Sequence, residues 1–398
     1  MQVLHLISNR DNSGGTIAAL NLHYSLLKAG YQSSVLSTDR LSGKLNGKGY
    51  RRFGGITGRI QQGFLSFENY FAKPGFINPT DKIVLQKNLK RFDGIIHIHV
   101  THVAQISFDL LNWISKKNKV FWTLHDLWPL TAKCIHPTYC EKWKEGCYDC
   151  PKLNEYPVLR WDNTPYLHQK KQEFIRKHKI HFIAPSQWIN DQARFTINNL
   201  DAQVSTIPHA IDHTIFKDAD RQSIRAEFNL PQKGQIILFP QGRWDDPKKG
   251  ALWYSAIKNA LMLNANTPFY LARIEGNKID VQEISPFLTE ITLPTTSDKA
   301  VMAKYYQLAD LSVSLSEVET FGLCVAESLA SSTPVIARKA NGINELLANN
   351  SAVLANNVEE LIQTILSKNW ENINYKPLFE KKYSFEEWAQ QHINLYES

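Results

Sequence analysis

Two glutamates, Glu319 and Glu327, close a segment that runs from Ser316 through Thr320, Phe321, Gly322, Leu323, Cys324 and Ala326. Carboxylates are strong acceptors for hydroxyl groups. An apolar, β-leaning run, Leu311–Leu315, precedes them, and an alanine- and leucine-rich run, Ala326–Ala330, follows and ends at Thr333-Pro334. The pattern predicts a strand, a tight turn and a buried helix. Ligands of open α/β sheets bind at that end of a strand. The helix start would aim the N–H groups of Phe321 to Cys324 at an anion there. A purely structural reading also exists: Ser316-x-x-Glu319 fits a capping box, leaving Glu327 as a surface acid. Gly322 argues against it, because it would fall inside the first turns of that helix.

A second constellation, Gly242-Arg243-Trp-Asp-Asp-Pro-Lys248-Lys249-Gly250, directly follows the predicted strand Gln235–Pro240. Arginine offers a fork of donors, lysine a point charge, and glycine a close backbone approach, all suited to phosphate. A basic turn alone is commonplace. Paired with the two glutamates in one α/β domain, it supplies cations for a diphosphate beside carboxylates for hydroxyls. That combination describes a nucleotide-sugar pocket.

The first half of the chain adds polar groups at strand ends. His125-Asp126 closes the strand Lys119–Leu124. A core histidine is the ordinary reading, but a polar His-Asp pair at that end favours function. Gly14-Gly15 follows the first strand and opens a helix, offering N–H groups or simply a turn. His97 and His99 share one face of a strand, with His99 a candidate for lining a cleft. Four of the five cysteines, Cys134, Cys140, Cys147 and Cys150, crowd into residues 134–150 with His136 among them. Their spacing suits a structural tetrahedral zinc, with free thiols or disulfides as alternatives.

The elements needed to position these groups are legible. At 398 residues the chain exceeds one ordinary domain. Apolar runs at Val3–Ser8, Ser34–Ser37, Gly94–Val100, Lys119–Leu124 and His181–Pro185 alternate with helical patterns, the first over Thr16 to Ala29. The pattern restarts at Gln235–Pro240, Pro268–Ile274, Glu290–Leu293, Leu311–Leu315 and Pro334–Ala337. Such alternation predicts two Rossmann-like doubly wound α/β domains facing a cleft. The boundaries expected are an acceptor-side domain at 1–205, a donor-binding domain at 206–380 and a returning helix at 381–398, with a linker near Ser205–Asp218. Residues 40–80, rich in Gly, Lys and Arg, read as a long basic loop.

Residues 1–190 hold 26 Lys/Arg against 13 Asp/Glu, and the remainder holds 19 against 25. A basic half suits an anionic partner, such as nucleic acid, a membrane surface or a phosphorylated substrate. No apolar stretch approaches a membrane span, and the N-terminus lacks a signal-peptide pattern, so a cytoplasmic protein is expected.

The two constellations together resemble the donor-binding domain of retaining glycosyltransferases of family 4, of GT-B fold. His209-Ala-Ile-Asp212 with Phe216 is similar to that family's linker motif, with His-Ala in place of Asn-Gly. Tyr383-Ser-Phe-Glu-Glu-Trp-Ala resembles its last helix, which crosses back to the first domain. The stretch HDLWPLTAKCIHPTYCEKWKEGCYDCP resembles a subset in exopolysaccharide clusters of the colanic acid type. The resemblance implies that Arg243 and Lys249 bind the donor diphosphate and stabilise it as leaving group. It implies that Glu319 holds donor-sugar hydroxyls with the N–H groups of Phe321, Gly322 and Leu323, that Thr320 and Gly242 adjoin them, and that Glu327 takes the ribose. Gly14 and Gly15 would face acceptor or diphosphate, and His125 the reacting sugar.

The expectation is therefore a retaining transferase using a UDP- or GDP-sugar, with no catalytic metal, in bacterial surface polysaccharide or lipopolysaccharide synthesis. Asp245-Asp246 is accordingly not read as a metal-binding motif. The acceptor is expected to be a glycan or a polyprenyl-diphosphate-linked glycan, with peripheral contact to the anionic inner membrane and no nucleic acid partner. The alternatives are a zinc-knuckle nucleic-acid-binding protein, or another GT-B enzyme such as a glycogen-type synthase.

Overall fold

The computed structural model describes residues 1–7, 14–37, 55–77, 79, 82, 86, 89–100, 106–198, 200, 202–242, 247–347, 354–368, 370 and 383–398. The chain divides into two compact units, Met1–Pro208 with Trp388–Ser398, and His209–Glu387.

The first unit runs β1 (Gln2–Ile7), α1 (Gly14–Lys28), β2 (Gln32–Ser37), α2 (Gly55–Tyr70), β3 (Ile95–Ile98), α3 (Phe108–Ile114), β4 (Lys119–Thr123), α4 (Thr164–His178), β5 (His181–Ala184), α5 (Gln187–Ile197) and β6 (Gln203–Thr206). Its six strands are ordered β2-β1-β3-β4-β5-β6 and all pair in parallel. Parallel sheets are covered on both faces, so their strands are apolar throughout rather than alternating. β1 is buried at five of six residues and β3 at all four. Trp122, Phe174, Phe182 and Leu111 lie in the core against this sheet. Ser107 and Ser186 start α3 and α5 by accepting from the N–H groups of Leu110 and Ile189.

The stretch expected to be a basic loop over residues 40–80 contains α2. Gly and Arg masked a helix whose Glu68 carboxylate is buried and accepts from the Ile77 N–H at 2.7 Å.

The second unit opens with α6 (Arg221–Glu227), then β7 (Gln235–Phe239), α7 (Ala251–Asn264), β8 (Phe269–Ile274), β9 (Asp280–Ser285), β10 (Leu288–Leu293), α8 (Lys299–Leu308), β11 (Leu311–Ser314), α9 (Leu323–Ala330), β12 (Val335–Arg338), α10 (Asn341–Leu346), β13 (Leu354–Ala355) and α11 (Val358–Ser367). The sheet order is β13-β12-β11-β7-β8-β10-β9. Only β9 pairs antiparallel among the described strands, and it is an exposed edge. From β7 the strand order runs outward through β8 in one direction and through β11 in the other. That reversal is the switch point at which doubly wound sheets bind ligands.

The C-terminal helix, Phe385–Glu397, contributes Trp388, His392 and Tyr396 to the first unit's interior.

Candidate active site

The segments carrying the sequence-predicted donor residues leave the sheet at the β7/β11 switch point. β11 ends at Ser314, and the chain passes through buried Leu315 and Ser316 into a turn that carries Glu319 and Thr320. α9 then starts at Leu323 with Gly322 as its cap, at φ +96°. A left-handed backbone at that angle favours glycine, and a Cβ would also sit 2.9 Å from Ile343 Cγ1. Opposite, Pro247–Lys249 forms a short 3-10 turn after β7, and Gly250 at φ +89° starts α7. A Cβ on Gly250 would meet Leu315 Cβ at 2.3 Å, so the two segments are pressed together. The Glu317 N–H donates to the Lys248 carbonyl at 2.8 Å and fixes their register.

This packing brings Lys249 and Glu319 into an ion pair, Nζ to Oε1 at 2.8 Å, with both side chains partly exposed. Lys249 Nζ also lies 3.5 Å from Ser316 Oγ. Ser316 is therefore buried beside the cation and does not cap the helix. Gly242 is exposed at the end of β7. Arg243, Asp245 and Asp246 lie outside the described residues.

Glu327 projects from α9 and is partly buried. Tyr306 of α8 donates to its Oε2 at 3.0 Å. Burial pushes its carboxyl up to about 7, against the pull of the Tyr306 hydrogen bond and the Lys299 charge. Burial likewise pushes the Cys324 thiol to about 12, so it is an apolar neighbour and no nucleophile at neutral pH.

Four contributors were not legible in the sequence. Gly342 donates its N–H to the Glu319 carbonyl at 3.0 Å, and a Cβ there would meet the Thr320 carbonyl oxygen at 2.4 Å. Tyr306 orients Glu327. His209 packs edge-on against Phe321, ring centroids 5.4 Å apart, and Tyr383 packs on the same ring. The fourth is Gln241, buried at the end of β7 with neither amide atom hydrogen-bonded among the described residues. A buried amide without partners is costly, and this one lies two residues beyond β7, next to Gly242.

In the first unit, His125 follows β4, and the start of α1 packs on it. A Cβ on Gly15 would meet Val100 Cγ2 at 2.5 Å and His125 Cγ at 3.1 Å. Gly14 is the first residue of α1. His99 hydrogen-bonds His125, Nδ1 to Nε2 at 3.0 Å.

The four clustered cysteines, expected as zinc ligands, are each partly buried. All are free thiols, and among the described residues no three have sulfurs within 4.8 Å of one another. The reason is local. Cys147 turns at φ +55° and packs, partly buried, against the apolar core, and burial pushes its thiol to about 12. The loop is braced by buried lysines. Lys133 donates to the carbonyls of Lys152 and Glu155, and Lys171 to the Trp128 carbonyl at 2.7 Å. The one candidate metal group among the described residues is His5, His97 and His99.

Two parallel doubly wound units, one with a cation and carboxylates at its switch point, define the two-domain α/β architecture of GT-B transferases. Residues 289–371 match the family described as glycosyl transferases group 1, a span that contains Glu319 and Glu327. A colanic acid biosynthesis glycosyl transferase of Escherichia coli K12, WcaC, is 27% identical over 306 residues, covering 71% of this chain and 70% of that protein. Sucrose-phosphate synthase of Thermosynechococcus elongatus superposes with a TM-score of 0.69 at 17% identity, over 100% of this chain and 98% of its own. Anabaena HepE, solved with UDP and glucose, gives 0.66 at 14% identity over 99% of each chain. The chain is an enzyme of the glycosyltransferase class with a GT-B fold. Among the described residues no helix is long and apolar enough to cross a membrane.

Proposed function

We propose that this enzyme transfers a sugar from a nucleotide-sugar donor to a glycan acceptor in bacterial surface polysaccharide synthesis, with retention of anomeric configuration. The observation that carries the proposal is the Lys249–Glu319 pair at the β7/β11 switch point, with Glu327 about one turn into α9. The cation is the group a departing nucleoside diphosphate needs. Negative charge builds on the phosphate as the glycosidic bond breaks, and a fixed ammonium lowers that barrier. Arg243 is assigned the same role by resemblance. Glu319, paired with Lys249, is positioned to accept from sugar hydroxyls. Glu327, held by Tyr306, accepts from ribose hydroxyls. His125 is assigned the reacting sugar, and Gly14 and Gly15 the diphosphate or acceptor. No catalytic metal enters this scheme.

The donor is a UDP- or GDP-sugar, and HepE, solved with UDP and glucose, supports the former. The acceptor is proposed to be linked to polyprenyl diphosphate, which accounts for the basic first half and implies peripheral contact with anionic membrane. A thermal-shift panel of UDP-, GDP- and ADP-sugars tests the donor. Stabilisation by one nucleotide class, lost in Lys249→Ala, is the expected result. Absence of any shift, with salt-dependent binding of nucleic acid instead, would overturn the proposal.

A further inference from the structure

Three histidines lie where a parallel sheet ordinarily places valine or isoleucine. His5 on β1 and His97 on β3 are register partners, and His99 follows just beyond β3. All three are buried. Burying an imidazole is unfavourable unless its nitrogens are bonded. His97 is satisfied by hydroxyls, Nδ1 to Tyr396 at 2.6 Å and Nε2 to Thr123 at 2.7 Å. His5 and His99 are not. His5 Nδ1 lies 2.9 Å from His99 Nε2, and His99 Nδ1 lies 3.0 Å from His125 Nε2. The three rings form a chain from the sheet interior to His125, and its inner end, His5 Nε2, has no partner among the described residues.

Such a chain has a direction. A neutral imidazole has one N–H and one lone pair, so the middle ring must donate on one side and accept on the other. Burial holds His5 and His99 well below the ordinary imidazole value, with neighbouring rings adding to the effect, so both are neutral. Only two arrangements remain. If His5 Nδ1 donates to His99, then His99 donates to His125 Nε2, and His125 must have its hydrogen on Nδ1. The reverse arrangement leaves a buried N–H on His5 Nε2 without an acceptor. Unpaired buried N–H groups are rarer than unpaired acceptors.

Building on the role given to His125 above, we infer that His5 and His99 are positioning residues that hold His125 as its Nδ1–H tautomer, so that this ring meets the sugar as a hydrogen-bond donor. The partner bond on one nitrogen selects the proton's place on the other. His97 shares the face but stands outside the relay, tied to its two hydroxyls. Both nitrogens of His97 and both of His99 are thus occupied, and of this trio only His5 Nε2 is left to meet a metal.

The test is a long-range proton–nitrogen correlation spectrum of the full chain with nitrogen-15 histidine, His125 being assigned by its loss in His125→Gln. The expected spectrum shows His125 protonated at Nδ1 in the wild type. It shows a changed tautomer in His99→Leu, and retention in His99→Gln, whose amide can accept from His5 and donate to His125. In transfer assays His99→Leu should lower kcat by ~10-fold or more with donor KM unchanged, and His99→Gln should recover most of it. Should His99→Leu fail to fold, His5→Leu reads the same tautomer. An Nε2–H tautomer in the wild type would sink the inference, as would one unchanged in His99→Leu or a stoichiometric metal lost in His5→Leu. A wild type with the expected spectrum but no transfer would count against the proposed function alone.

Discussion

Lys249 and Glu319 meet at 2.8 Å although they come from different strand-to-helix connections, where Gly250 lets one connection press on Leu315. Both side chains are about a quarter to a third exposed, so the pair contributes at most about 1 kcal/mol to stability. Its value is positional. Lys249→Ala should therefore lower kcat by at least ~100-fold while shifting unfolding by no more than about 1 kcal/mol. Glu319→Gln should raise donor KM as well, since the amide loses charge but keeps shape. Steady-state kinetics with calorimetry on the same preparations checks both. A folded, fully active Lys249→Ala would remove the site assignment.

Gly322→Ala separates backbone geometry from charge. The left-handed φ and the 2.9 Å approach to Ile343 each oppose a Cβ. A loss of ~1 kcal/mol or more is expected, together with weaker donor binding, because Phe321 and Leu323 flank the shifted turn. Chemical denaturation gives the first quantity and donor titration the second. Wild-type stability in this variant would show the turn to be looser than its glycine implies.

Gln241→Leu has the opposite expectation for stability. The amide has no partner among the described residues, so replacing it by an apolar group of similar size should be neutral or stabilising in the absence of donor. If the amide serves the ligand, donor KM rises by ~10-fold or more, the loss of about one good hydrogen bond. Unchanged donor KM would mark Gln241 as a packing residue.

The architecture was open to reading because parallel strands are buried on both faces and announce themselves as apolar runs. β7 and β11 fall within the runs that the sequence showed, and β12 oversteps its run by one residue, Arg338. β9 was not legible: it is an exposed edge with a polar pattern, Asp280–Ser285, that resembles a loop. α2 was hidden by its glycines and basic surroundings. Within the site, Glu319, Glu327 and Lys249 stood out because charge at strand ends is unusual. Across the fold Tyr306 acts on a carboxylate, Gly342 on backbone and His209 on the Phe321 ring, and no local spacing reveals such a partner. The cysteine spacing does not encode the side-chain direction that packs Cys147 against the apolar core.

Those thiols give a prediction of their own. Cys147 and Cys324, both pushed to about 12 by burial, should react slowly with a disulfide reagent in the native state, well behind Cys140 and Cys150 on the partly exposed loop. Unfolding should make all five equivalent. Metal analysis of protein purified without chelator tests the zinc expectation for these cysteines. One zinc per chain, lost in Cys150→Ser, would show that the loop closes around metal.

Stability against pH should report Glu327 separately from the buried histidines. At low pH, below about 4.5, Glu327 is protonated folded and unfolded, and contributes nothing. As pH rises, the unfolded chain releases that proton first, while the folded chain keeps it until about 7. The unfolded state then binds fewer protons, so this group lowers stability progressively between those values and by a constant amount above. The histidines act with the other sign. His392 is held down to about 4 by burial, so its contribution is full above 6.5 and is lost as pH falls toward 4. His5, His97 and His99 shift the same way. Wild-type stability should thus fall steeply on the acid side, with the carboxyl partly offsetting the imidazoles. Subtracting the wild-type curve from that of Glu327→Gln removes the common histidine part. The difference should be small near pH 4.5, grow in favour of the variant up to about 7, and stay level beyond. Tyr306→Phe, which removes the bond that favours the carboxylate, should carry the rise past 7. A difference that does not vary with pH would return Glu327 to an ordinary solvated carboxyl and leave Tyr306 without a role in holding it.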